Sequence, residues 1–236
     1  MYFDSSAKKL NLFKVIKPEL KETKNLIVLS LPIVAQSVVG LGCWFVFFGF
    51  IDNLGDRALS ITNIVRMIYL CLSIPCWGFS SGINTIVSNL IGQDKYDLVI
   101  PSIHKTILLC LSITAIISIP IILFPTAIMP YILGDSGNSS ILEFAIPTIH
   151  LLSIILLFFV IGGIYFNGMA GTGATINGLF LQIFSAVAYL VIAYLIVNKK
   201  NSTVELAWTA EIYYWIIMII FTLKYMYSKK WIHLKV

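Results

Sequence analysis

Charge is scarce in this chain. Of its 236 residues only 11% are Asp, Glu, Lys or Arg, less than half the share of an ordinary soluble domain, and a water-facing surface cannot be built from so few. Histidine occurs three times, and the four cysteines, Cys43, Cys71, Cys76 and Cys110, lie in apolar runs with no CxxC pair. With no His at ligand spacing, neither a metal centre nor a disulfide framework is expected, and the thiols are assigned to packing. Paired acids, or a nucleophile beside a base, are also missing, so an enzyme is not expected. The net charge of +5 does not indicate nucleic acid, because the lysines gather at the ends and in one loop without interleaved aromatics. Gly171-Thr172-Gly173, with Gly178 beyond, sits between two apolar runs rather than in a βαβ unit. It reads as a tight helix connection, not a phosphate loop.

Apolar length is what the chain has in abundance. Hydrophobic residues make up 58% of it, and the mean hydropathy is +0.92. Six runs, Asn25 to Ile51, Ala58 to Gly92, Ile103 to Leu133, Ile141 to Gly168, Ala174 to Val197 and Val204 to Tyr227, each reach the roughly 20 residues that cross a ~30 Å hydrocarbon layer. The expected class is an all-α membrane protein, a six-transmembrane-helix bundle over residues 25–228. A basic segment, 1–24, precedes it and a basic tail, 229–236, follows. In the first segment Leu10, Phe13, Ile16 and Leu20 recur at helical spacing under a lysine-rich face, as in an amphipathic interfacial helix, and no run there has the makings of a signal peptide. Prolines at 32, 75, 120, 125 and 130 are expected to kink or break their spans.

Orientation follows from the lysines. With the N-terminus inside, twelve Lys residues fall on the inner side, against Arg57, Lys199 and Lys200 outside. The bias places both termini in the cytoplasm of a cell-membrane protein. Asn-x-Ser/Thr triplets at Asn138 and Asn201 are treated as accidental.

Polar groups inside hydrocarbon are costly and mark pathways. The candidate substrate and ion path is Gln36 in the first span, Asn63, Arg66, Trp77, Asn84 and Thr85 in the second, Asn167 in the fourth, Gln182 in the fifth and Glu211 in the sixth. Arg66 and Glu211 are the charges set well into spans. A pair between them would neutralise both, while placement near the membrane surface would let each snorkel to water; both arrangements fit the sequence. His150 can relay protons or simply bond a neighbouring helix. Gly78, Ser81, Gly82, Gly162 and Gly163 are small enough for close helix approach.

Taken in order, Leu31-Pro32-Ile33, Ala58 through Asn63, Pro75-Cys76-Trp77-Gly78-Phe79-Ser80-Ser81-Gly82-Ile83-Asn84-Thr85, Val87 through Gln93, Phe166 through Gly173 and Val204 through Trp215 resemble the multidrug and toxic compound extrusion (MATE) transporters. The resemblance implies a twelve-helix antiporter of two six-helix lobes around a central cavity. Such a protein exchanges cationic or amphiphilic compounds for inward Na⁺ or H⁺, with no further cofactor. This chain would be the C-terminal lobe, since residues 1–24 resemble the linker between lobes. Its partners would be the lipid bilayer, the small-molecule substrate, and an N-terminal lobe or a second copy of itself. Within that reading Asn63, Asn84, Asn167 and Gln182 offer hydrogen bonds to substrate, and Trp44, Trp77 and Trp208 offer apolar and cation–π surface. One departure stands out: many members carry a carboxylate in the middle of the first span, where this chain reads Val38-Val39-Gly40-Leu41-Gly42. Two other functions stay open. A lipid-linked oligosaccharide flippase-type exporter would need a strongly basic cavity for pyrophosphate, toward which Arg66 is the single contribution. A non-transporting scaffold or truncated remnant would be indifferent to replacement of Asn84 or Glu211.

Overall fold

The computed structural model describes residues 20–128 and 139–233. Their order is α1 (Leu20–Asp52), α2 (Asp56–Gly92), a 3₁₀ turn (Tyr96–Leu98), α3 (Val99–Leu123), α4 (Ser139–Gly171), α5 (Thr175–Val197), α6 (Val204–Tyr227) and a closing 3₁₀ turn (Lys230–His233). Six of these helices are long and apolar enough to cross a membrane. Helices are what hydrocarbon demands, because each backbone N–H and C=O must be satisfied within its own segment.

Local chemistry sets the helix ends. Gly55, at φ 96°, turns the chain between α1 and α2. Gly173, at φ 83°, makes the tight α4–α5 connection expected from the Gly-Thr-Gly stretch, and the Thr172 hydroxyl there bonds the Met169 carbonyl and the Tyr225 hydroxyl. Thr203 caps α6, its Oγ1 accepting from the Leu206 N–H, with Glu205 in the first turn and Lys224 in the last. That order of charges suits the helix dipole.

Pro32, Pro75 and Pro120 do not break their helices, which run on past them, as does the helix holding Pro147, which the expected positions did not include. The third span does not reach Leu133: α3 ends at Leu123, and Phe124 leaves helical geometry at φ −129°, ψ 53°. Pro125 explains this, since a residue before proline is pushed out of the α region; residues 125–128 then form one further helical turn. Pro130 and Asn138 lie outside the described residues, as do most of the basic N-terminal segment and residues 234–236. Helix α1 begins by Leu20, so part of the segment set apart as 1–24 continues the first span. The segment after α6 is more than a basic tail: Trp231 is buried, donates to the Met226 carbonyl at 2.9 Å and packs on Tyr96.

In the bundle α4 is central. It packs most extensively on α2 and α6, with α3 lying against both α2 and α4, while α1 rests mainly on α5 and only sparsely on α2. Close approach is made possible by small residues on α4: a Cβ on Gly162 would lie 2.7 Å from Trp215 Cε3, and one on Gly171 would lie 2.6 Å from the Asn84 carbonyl oxygen. Gly78 and Gly82 of α2 do not serve the same purpose, for a Cβ on either would meet nothing within 4 Å. They sit on an outward face. Elsewhere the exterior is lipid-like, with Leu41, Phe45, Ile116 and Phe180 all exposed.

Candidate functional site

Seven of the nine expected path residues, all but Gln36 and Asn167, divide between two places. The first is one face of α2. Asn63, Arg66, Trp77, Ser81, Thr85 and Ser88 are all exposed, with Asn84 half-buried beside them; at 100° per residue they fall within a single stripe, which exposed Met67, Leu70 and Ile74 share between its two polar ends. Near one end of this stripe, Asn84 and Ser88 join Ile33, Gly171 and Thr175 around a crevice of ≈ 460 Å³. There the Ser88 hydroxyl donates to the carbonyls of Asn84 and Gly171 at 3.0 and 2.9 Å. The Thr85 hydroxyl donates to the Ser81 carbonyl, which shields part of its polarity from lipid. Asn63, Arg66 and Trp77 project outward.

The second place is a chamber between α1, α2, α5 and α6. Glu211 is the one buried charged residue among those described, 5% exposed. It borders a cavity of ≈ 80 Å³ lined by Gly40, Cys43 and Trp44 of α1, Tyr69 of α2, Gln182 and Tyr189 of α5, and Tyr214 and Trp215 of α6. Three helices reach it through stripes at i, i+3, i+4 or i+7 spacing, the register that stacks side chains on one helix face. The Tyr214 hydroxyl donates to Gln182 Oε1 at 3.0 Å. Around the wall Trp44 stacks on Tyr69 at 5.9 Å, Tyr189 meets Tyr214 edge-on at 6.0 Å, and Trp215 meets Phe159 edge-on at 4.9 Å, arrangements that suit aromatic quadrupoles. Tyr189 and Trp215 stand against the carboxylate, within reach of it as donors. Trp208 Nε1, Thr62 Oγ1 and Ser185 Oγ are buried without a hydrogen-bond partner. Orphaned donors of this kind are rare in folded proteins and call for a ligand, water or ion.

Several expectations change. Arg66 does not pair with Glu211: it is exposed on α2, its guanidinium 5.3 Å from the Phe48 ring and 5.9 Å from the Trp44 ring, whereas Glu211 has no ion-pair partner among the described residues. Gln36 is buried and donates to the Thr175 carbonyl at 3.0 Å, tying α1 to α5. Asn167 is bonded within its own helix, to the Gly163 carbonyl. His150 is exposed and sits 3.3 Å from the Ile122 carbonyl. Trp208 lies in the core at 0% exposure, against Trp44, Phe47 and Tyr69, so it neither belongs to an interfacial belt nor offers a free face to a cation. Tyr69 and Tyr214 were not singled out from sequence. The triplet Glu211, Tyr214 and Trp215 at i, i+3, i+4 was the available signal for the latter.

Six apolar helices, with a polar face on one and a buried acid among the others, are the build of an integral, multi-pass membrane protein with the architecture of a transporter lobe. Solved structures agree on the fold. A MOP superfamily transporter from Pyrococcus furiosus superposes with a TM-score of 0.79 at 15% identity, over 90% of this chain and 48% of that one. A MATE in complex with MaL6 gives 0.73 at 15%, over 90% and 49%. An outward-facing multidrug resistance MATE family transporter of the MOP superfamily gives 0.72 at 15%, over 90% and 48%. This chain therefore spans about half the length of the structures it resembles. A comparison with curated protein sequences returns no match. The family model described as MatE matches residues 32–195, and the chain belongs to that family.

Proposed function

We propose that this chain is one six-helix lobe of an exporter in the cell membrane that moves cationic or amphiphilic small molecules outward in exchange for inward Na⁺ or H⁺. The cavity is completed by a second lobe or a second copy of the chain, and both termini lie in the cytoplasm. The observation that carries this reading is the exposed stripe on α2. Asn63, Ser81 and Thr85 lie within a span yet are exposed on the lobe, and polar groups within a span belong against protein or a water-filled cavity, not lipid. Substrate binding falls to this stripe, with Asn63, Asn84 and Thr85 giving hydrogen bonds and Trp77, 53% exposed, giving an aromatic face for a cation. The half-length match to solved transporters supports the need for a second lobe. Twelve inner lysines against three outer basic residues support the orientation.

The test is efflux of a fluorescent cationic dye from vesicles holding the chain, alone and with a co-expressed second six-helix lobe, under Na⁺ and pH gradients imposed one at a time. Dye movement that follows one gradient and falls when Thr85 and Asn63 are replaced supports the proposal. Movement indifferent to both gradients rules out antiport.

A further inference from the structure

Glu211 is buried in apolar surroundings without a cation beside it, an arrangement that costs several kcal/mol unless a positive charge is brought to it. From α1 it faces Cys43, from α2 Tyr69, from α5 Tyr189, and on its own helix Tyr214; from α4 Phe159 packs on Trp215. No Lys, Arg or His lines the chamber. Arg66 is held on the Phe48 and Trp44 rings, and His104 is bonded to Tyr165 at 2.6 Å. Among the described residues nothing supplies that charge, and the cavity beside the acid, of ≈ 80 Å³, accommodates about two water molecules.

The ligands on offer decide which charge fits. A hard metal cation asks for about six oxygens, and Gln182 Oε1 already accepts from Tyr214. The span backbones are committed to their own helical ladders, and beyond the Glu211 carboxylate and Gln182 the wall's oxygens are the hydroxyls of Tyr69, Tyr189 and Tyr214, neutral ligands that a hard cation would have to gather nearly all at once. A proton needs one base and one or two hydrogen-bond partners. Those partners stand beside Glu211: Tyr189 Oη can donate to a carboxylate or accept from a carboxyl O–H, and Trp215 Nε1–H can donate to the second oxygen in either state.

We infer that Glu211 is this lobe's proton-binding group, taking one proton from chamber water to form a neutral carboxyl O–H and returning it to water as the carboxylate is restored. Tyr189 is the positioning residue for both states. The inference rests on the reading of the chain as half of an ion-coupled exporter and selects the proton over Na⁺ at this site. It also places the acid on the last span, where the first span offers Gly40 and Cys43 instead.

The experiment is infrared difference spectroscopy of the purified chain in a bilayer between acid and alkaline pH, reading the carbonyl stretch of a protonated carboxyl. The expected result is a band that is lost in Glu211→Gln, kept in Glu205→Gln on the exposed side of the same helix, and shifted in Tyr189→Phe. Adding Na⁺ at fixed pH leaves the band unchanged. A band that survives intact in Glu211→Gln overturns the inference, as does displacement of the wild-type band by Na⁺. Should Glu211→Gln fail to fold, the Tyr189→Phe shift and the Na⁺ titration of the wild-type chain decide the matter. Failure of dye transport with this band present would count against the exporter reading and not against the proton site.

Discussion

The outward stripe of α2 and the chamber around Glu211 are both polar intrusions into hydrocarbon, yet they are built in opposite ways. The stripe carries its polar groups singly, exposed, with serine and threonine hydroxyls folded back on backbone carbonyls. The chamber buries its acid among Trp44, Tyr69, Tyr189, Tyr214 and Trp215, with Gly40, Cys43 and Gln182 filling the rest of the wall. Surfaces of the first kind adapt to varied ligands, because most side chains there, such as Asn63 and Trp77, are exposed and not fixed by packing. Sites of the second kind suit one small ligand, because any change of volume is resisted by close-packed rings. The pair teaches that one lobe can hold a permissive surface and an exacting site a few turns apart.

That contrast can be broken by mutation. The largest effect should come from Trp208→Ala, which removes a fully buried indole held by Trp44, Phe47 and Tyr69. A loss of about 3–5 kcal/mol is expected from thermal unfolding in detergent, whereas Trp77→Ala on the stripe should cost less than about 1 kcal/mol because that ring is half exposed. Next is Gly162→Ala, whose new Cβ meets the Trp215 ring at 2.7 Å; about 1–3 kcal/mol should be lost, with a change in tryptophan emission, while Gly82→Ala should be neutral in the isolated lobe. Gln182→Leu strands the Tyr214 hydroxyl and should cost about 1–2 kcal/mol. The smallest effect on stability, within about 0.5 kcal/mol, is expected for Asn63→Ala and Thr85→Val, which should nonetheless lower dye efflux several-fold. If stripe variants unfolded the protein and chamber variants did not, the comparison would be reversed.

Much of the bundle was legible from residue order alone. Apolar runs gave α6 as Val204–Tyr227 and ended α5 at Val197, because each run is bounded by polar residues and its length matches a membrane. The end of the third span was misjudged since its apolar composition continues past Phe124, while the backbone answers to Pro125. The polar stripe could be seen because Asn63, Arg66, Trp77 and Thr85 lie on one helix and need no knowledge of its neighbours. The chamber could not, because it depends on the register of α1, α5 and α6 with respect to one another. Within single helices its signals were present, as in Gly40, Cys43, Trp44 and in Glu211, Tyr214, Trp215. Tyrosine and tryptophan, however, read as ordinary apolar filling until three helices are brought together. The same limit left the Arg66–Glu211 pair and separate placement both open: sequence shows two opposite charges set into spans, and only packing shows one facing in and the other out.

The central claim, that the α2 stripe faces water and not lipid, is tested most directly by labelling. Cysteines placed one at a time at positions 63, 67, 70, 74, 77, 81 and 85, in a chain whose four native cysteines are replaced, would be exposed to a membrane-impermeant thiol reagent with the completed transporter in vesicles. Reaction throughout the stripe, reduced by a competing dye, is the predicted result. Reaction confined to the two ends of α2, with the middle positions silent, would mean that lipid or packed protein covers the stripe and would contradict the account.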